Sequence, residues 1–165
     1  MPAEAGTHDT GPHGLPITYW TPSDKPSTLA RVRYAPQAVA YLESKVGRYP
    51  FPTLGVLVVP SQSAMETQTM VTLGNSDYVL SPPVIAHELV HQWFGDHVAV
   101  ARWRDIWINE GFATFMEFVC LDSLYPSWDM WGEFLTSVQQ GALRLDSLRS
   151  SHPIHVEVSD PAQIN

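Results

Sequence analysis

A single cysteine, Cys120, occurs in the whole chain, so no internal disulfide can form and no thiolate cluster can hold a metal. It sits in the apolar run Phe118-Val119-Cys120-Leu121, where a small core side chain is expected rather than a nucleophile. Basic residues are scarce too: nine Lys and Arg stand against seventeen Asp and Glu, for a net charge of -8. Phosphate binding needs clustered Lys and Arg, and these are scattered, so nucleic acid is excluded as a partner. No apolar run approaches the length of a membrane span; near the start of the domain the longest is Val56-Leu57-Val58-Val59. Met1 to Gly14 has neither the basic region nor the apolar core of a secretory signal, which sets the expectation of a cytoplasmic protein. There is no internal repeat and no low-complexity segment.

What is present suits a globular protein. A hydrophobic fraction of 44% in 165 residues is enough for one domain with a core. Residues 1–27 depart from that composition, with Pro2, Pro12, Pro16, Pro22 and Pro26 around Gly6, Gly11 and Gly14. They read as a linker, poorly ordered to Gly14, or as the remnant of a preceding β-domain, with Ile17 to Trp20 a strand fragment. The domain proper is expected over residues 28–165.

Val39, Leu42 and Val46 repeat at helical spacing from Pro36, and Gly47 and Pro50 stop that helix. Gly55 to Val59 reads as a buried strand, Glu66 to Leu73 as a second, and Tyr78-Val79-Leu80 as a third. Helices are predicted from Ser81 to about Gly95 and from Ile108 to Leu124. Another is predicted from Trp128 to near Ser150, with Trp131, Phe134, Leu135, Val138, Ala142 and Leu145 along one face. Strands followed by helices give an α+β fold, a small sheet beside a helical layer.

The strongest chemical signal is His87-Glu88-Leu89-Val90-His91. On a helix, positions four apart share one face, so both imidazoles can reach one ion, with Glu88 close to its open side. A catalytic zinc takes three protein ligands and one water, so a third ligand is required. Glu110 meets the need from the start of the next predicted helix, and the intervening Asp96 to Arg104 stretch lets the chain turn back. The expected cofactor is one Zn2+ per chain, held by His87, His91 and Glu110, with Glu88 as general base.

The stretch His87 to Gly95 closely resembles the active-site helix of the aminopeptidase N family of zinc peptidases. That family's second signature, Trp-x-x-x-Trp-x-Asn-Glu-Gly-Phe-Ala, is matched by Trp103 to Ala113, with 18 residues between His91 and Glu110. The resemblance runs from about Arg33 onwards and includes Tyr49-Pro50-Phe51-Pro52. It implies a thermolysin-like catalytic domain, a small mixed sheet followed by helices, and hydrolysis of the N-terminal residue of a peptide substrate. The family's amine-binding Gly-x-Met-Glu-Asn motif is met here by Ser63-Ala64-Met65-Glu66-Thr67. Ala64 and Glu66 are therefore the substrate-binding candidates. Ser63 and Thr67 depart from the motif, which bears on strict exopeptidase specificity.

Asn109 and Thr114 are candidates to orient the ligand histidines. The family also uses a downstream tyrosine against the oxyanion, and the one tyrosine after Glu110, Tyr125, follows the ligand helix too soon. The chain is thus expected to lack parts of a longer parent. Three functions stay open: a zinc aminopeptidase, a zinc endopeptidase or other zinc hydrolase, and a zinc-binding but non-catalytic fragment.

Overall fold

The computed structural model describes residues 6–151, 153–154, 156–158 and 160. In it the Pro- and Gly-rich N-terminal stretch is built into a sheet. Strands β1 (Thr7–Thr10) and β2 (Pro16–Trp20) pair antiparallel across a tight turn in which His13 and Gly14 take positive φ. Ile17 and Tyr19 alternate inward along β2 and are fully buried. Helix α1 (Pro26–Val32) follows, with its proline in the first turn. The poor order expected to Gly14 is thereby corrected for the described part, while the strand fragment expected over Ile17 to Trp20 is present in β2. The prolines and glycines of this part punctuate two strands and the start of a helix, and the period-two burial of Ile17 and Tyr19 outweighs composition.

Three more strands complete the sheet: β3 (Leu54–Val59), β4 (Ala64–Met65) and β5 (Met70–Gly74). Their order is β1-β2-β3-β5-β4, with β2, β3 and β5 parallel and the two outer strands antiparallel. A parallel β2–β3 pair needs a crossover, and α1 and α2 (Ala35–Val46) supply it. The near-continuous apolar run of β3 suits a strand covered on both faces. Of the strand expected over Glu66 to Leu73, only the part from Met70 onward is strand, because Glu66 to Thr69 form a turn closed by Met70 N–H donating to Thr67 O (2.8 Å), with Thr69 at φ 64°. Tyr78 to Leu80 is not a strand either. Ser81 N–H donates to Tyr78 O at 3.1 Å and turns the chain into the next helix.

The helical layer comprises α2, α3 (Pro82–His91), α4 (Trp107–Leu124) and α5 (Met130–Glu133). A π-helical stretch Phe134–Gln139 then leads into α6 (Gln140–Asp146). The last three form the helix predicted from Trp128 onwards, but only part of its apolar face is covered: Phe134 and Val138 pack on the core, while Leu135, Leu143 and Leu145 stay exposed. Helix α3 packs against α4, α2, β4 and β5, which makes it the central helix of the domain. The α+β expectation holds. No helix among the described residues is long and apolar enough to cross a membrane.

Candidate metal centre and the clefts beside it

Ser81 in extended conformation and Pro82 at the first helical position start α3, and its regular turns end at His91 rather than at Gly95. Beyond it the chain tightens: Trp93 N–H donates to Val90 O, and Asp96 N–H returns to His91 O at 3.0 Å. Gly95 makes the reversal with φ 132°. A Cβ there would lie 2.6 Å from Asn109 Oδ1, so both conformation and space call for glycine. This reversal brings α4 back across α3 with Asn109 and Glu110 in its first turn.

The two helices bring His87, His91 and Glu110 together. His87 Nε2 lies 3.1 Å from His91 Nε2, and Glu110 Oε2 lies 3.2 Å from the first and 3.6 Å from the second. The edges of a tetrahedron whose corners sit 2.0–2.1 Å from a central zinc measure about 3.3–3.4 Å, and the observed spacings bracket that length. The donor set, two imidazoles and a carboxylate, also fits a borderline metal such as zinc.

Both rings are held from behind. His91 Nδ1–H donates to Phe94 O at 3.0 Å, and His87 Nδ1–H donates to Glu117 Oε2 at 3.3 Å, which turns both Nε2 atoms to the centre. The orienting role expected of Asn109 and Thr114 thus falls to a backbone carbonyl and to Glu117. Asn109 instead donates to Glu110 Oε1 at 3.1 Å. Glu117 follows Glu110 by two helical turns on α4, the same face, and that spacing could have pointed to it.

The charges respond to this crowding. Burial opposes protonation of His87, but bonds to Glu110 and Glu117 outweigh it and hold the imidazolium up to about 10. His91 is raised as well, burial again opposing and the Glu110 bond winning. The same two histidines hold the Glu110 carboxyl well below the usual range. Glu88 behaves oppositely: burial pushes it up to about 7 against the pull of His87 and His91.

Two clefts flank the cluster. One of about 430 Å3 is lined by Ala64, His87, Glu88 and Glu117, with Tyr78 and Val138 at its walls. The other, of about 470 Å3, holds Glu66, Asp96, Asn109 and Trp103. Ala64 therefore shares a cleft with His87, whereas Glu66 lines the other cleft, beside Asn109, the neighbour of Glu110. His97 is exposed and packs edge-on against Phe51 at 6.2 Å, away from any cluster among the described residues. Cys120 is buried beside Tyr34 with its thiol pushed up to about 11 by burial, as a core residue would be. His152 and His155 lie outside the described residues.

Sequence reasoning missed Gln92. Its side chain is fully buried and accepts from Tyr49 OH and from Thr69 N–H, both at 2.9 Å. It donates to Glu66 O and to Asp96 Oδ2, both at 2.8 Å. Nothing in the spacing of a glutamine between a histidine and a tryptophan announces this.

A mixed sheet backed by helices, with two histidines one turn apart and a carboxylate from the following helix, defines the metallopeptidase class of domain. The Peptidase family M1 domain matches residues 33–165, and the chain belongs to that family. Aminopeptidase 2 of Candida albicans is 37% identical over 92% of this chain, and Tricorn protease-interacting factor F2 of Thermoplasma acidophilum 39% identical over 79%. Aminopeptidase M1 of Arabidopsis thaliana is 39% identical over 71%. The aligned parts cover 18%, 18% and 15% of those proteins, so the chain spans less than a fifth of these three curated relatives.

Proposed function

We propose that this chain carries the zinc centre of an aminopeptidase, with one Zn2+ held by His87, His91 and Glu110. The observation that carries the reading is the convergence of their three ligand atoms, all within 4.8 Å of one another. Bound zinc would supply a Lewis acid and a water acidified to a pKa near ~7. Glu88 is the group assigned to proton transfer. It shares a cleft with His87 and Ala64, and a carboxyl raised to about 7 can take up and release a proton near neutral pH.

Ala64 and Glu66 are assigned to substrate. Strand β4 is the sheet edge beside the cluster and pairs with β5 alone, leaving its outer backbone groups open to an extended peptide. Glu66, half-buried at the end of β4, offers a carboxylate to the free α-ammonium. The names of the relatives, several of them aminopeptidases, support the same substrate class.

One observation favours a second reading for the chain by itself, a zinc-binding unit without turnover. Tyr125 stacks on Trp128 at 4.2 Å at the far end of α4, roughly 22 Å along the helix axis from Glu110, and so cannot serve the oxyanion. Losing one such donor costs on the order of 100- to 1,000-fold in rate. The test is to give the zinc-loaded chain a free-amine aminoacyl p-nitroanilide and its N-acetylated twin. Cleavage of the first alone, abolished by Glu88→Gln with zinc retained, is expected of the aminopeptidase. Equal cleavage of both contradicts it in favour of another zinc hydrolase. One bound zinc with no turnover at high protein concentration supports the non-catalytic reading.

A further inference from the structure

Glu66 and the metal cluster belong to different elements, and the distance between them decides what a peptide with a free amine could do here. Four residues, Glu66 to Thr69, lie in the turn between β4 and β5, where the one backbone tie to β3 is Gly55 N–H donating to Thr69 O at 2.7 Å. The turn is also tied to the end of α3 by one side chain. Gln92, next in sequence to His91, donates from Nε2 to Glu66 O and accepts at Oε1 from Thr69 N–H. Tyr49 OH and Asp96 Oδ2 take the two remaining amide sites. Both lone pairs and both N–H groups are thus used, in a side chain with no solvent exposure. The amide cannot be flipped, since Nε2 would then meet the Thr69 N–H. Thr69 is held at φ 64°, a strained conformation for a non-glycine residue, so the turn depends on its surroundings to persist.

We propose that Gln92 is a positioning residue that fixes Glu66 against the His87–His91–Glu110 cluster, and so selects ligands carrying a free α-ammonium at a set distance from the metal. The inference rests on the proposed assignment of Glu66 to the substrate amine. Gln92 touches neither metal nor substrate. It acts by joining the helix that carries two of the metal-binding side chains to the backbone that carries the amine-binding one. A burial role alone would leave ligand preference untouched.

The experiment uses the full 165-residue chain loaded with zinc, titrated calorimetrically with leucine hydroxamate and with N-acetyl-leucine hydroxamate. Wild type is expected to favour the free amine by at least about tenfold, consistent with a charge-assisted bond, and Glu66→Ala to abolish that preference. Gln92→Leu should bind one zinc and the acetylated ligand as wild type does, yet lose most of the preference. Hydrogen exchange should show the Thr69 amide deprotected while the α3 amides stay protected. Should Gln92→Leu fail to fold, the double variant Q92E/D96N answers the question. A carboxylate at position 92 still accepts from Tyr49, from Thr69 and from an amide at position 96, so only the donations to the turn carbonyls, Glu66 O and the longer one to Thr67 O, are lost. A preference kept by the folded variant overturns the inference. Wild type without any preference, unmoved by Glu66→Ala, instead overturns the assignment of Glu66 and the inference with it.

Discussion

Glu117 Oε2 lies 3.3 Å from Nδ1 of His87, on a carboxylate that is itself largely shielded from solvent. That contact fixes which nitrogen of the ring is left for a metal. Glu117→Ala should therefore weaken zinc binding by about 10- to 100-fold while leaving the helical circular-dichroism signal intact. Glu117→Gln, which can still accept, should lose less. Wild-type affinity in Glu117→Ala would show the contact to be incidental.

Zinc affinity should rise with pH. A metal needs neutral imidazole, and His87 is held protonated up to about 10, because its bonds to Glu110 and Glu117 outweigh the burial that opposes them. Glu110 is ionised throughout this range and contributes no proton. Ligation at pH 7 must then displace a proton from His87, and affinity should climb by about tenfold per pH unit for each proton released up to pH 9. Calorimetry in two buffers of different ionisation enthalpy counts the protons. A flat profile would contradict the charge state assigned to the cluster.

Gly95→Ala is predicted to destabilise the chain. The new Cβ would sit 2.6 Å from Asn109 Oδ1, on a backbone with φ 132°. A cost of about 2 kcal/mol corresponds to a fall in Tm of roughly 4–8 °C for a domain of this size. Because Asn109 also bonds Glu110 Oε1, zinc affinity should drop with it. An unchanged Tm would mean that the reversal after α3 can relax.

The parts of this protein legible in its sequence are those where chemistry and periodicity coincide. His87 and His91 on one helical face, and Glu110 opening the next helix, need no tertiary information beyond the turn between them. Helices α2, α3 and α4 follow from apolar spacing and from Pro82 and Gly47 at their ends. Strand β1 was hidden because Pro12, Pro16 and Gly11 look like tether composition, whereas the apolar Ile17 to Trp20 run showed most of β2. What the local pattern does not encode is the long-range parallel pairing of β2 with β3, which builds it into the sheet. The same holds for the π-helical stretch Phe134–Gln139 and for the turn at Glu66 to Thr69 between two antiparallel strands. Gln92 became visible only through its partners, 25 residues away at Thr67 for one of them, whereas Glu117 shares the Glu110 face of its helix and only its contact with His87 on the neighbouring helix needed the fold.

The central claim is that His87, His91 and Glu110 hold one zinc ion. Zinc titrated calorimetrically into the chelator-treated chain tests it most directly. The account predicts saturation at one equivalent, with His87→Ala, His91→Ala and Glu110→Ala each losing at least about 100-fold in affinity, while Glu88→Gln binds as wild type. A wild-type isotherm in His91→Ala, or no binding by the wild-type chain, would contradict it.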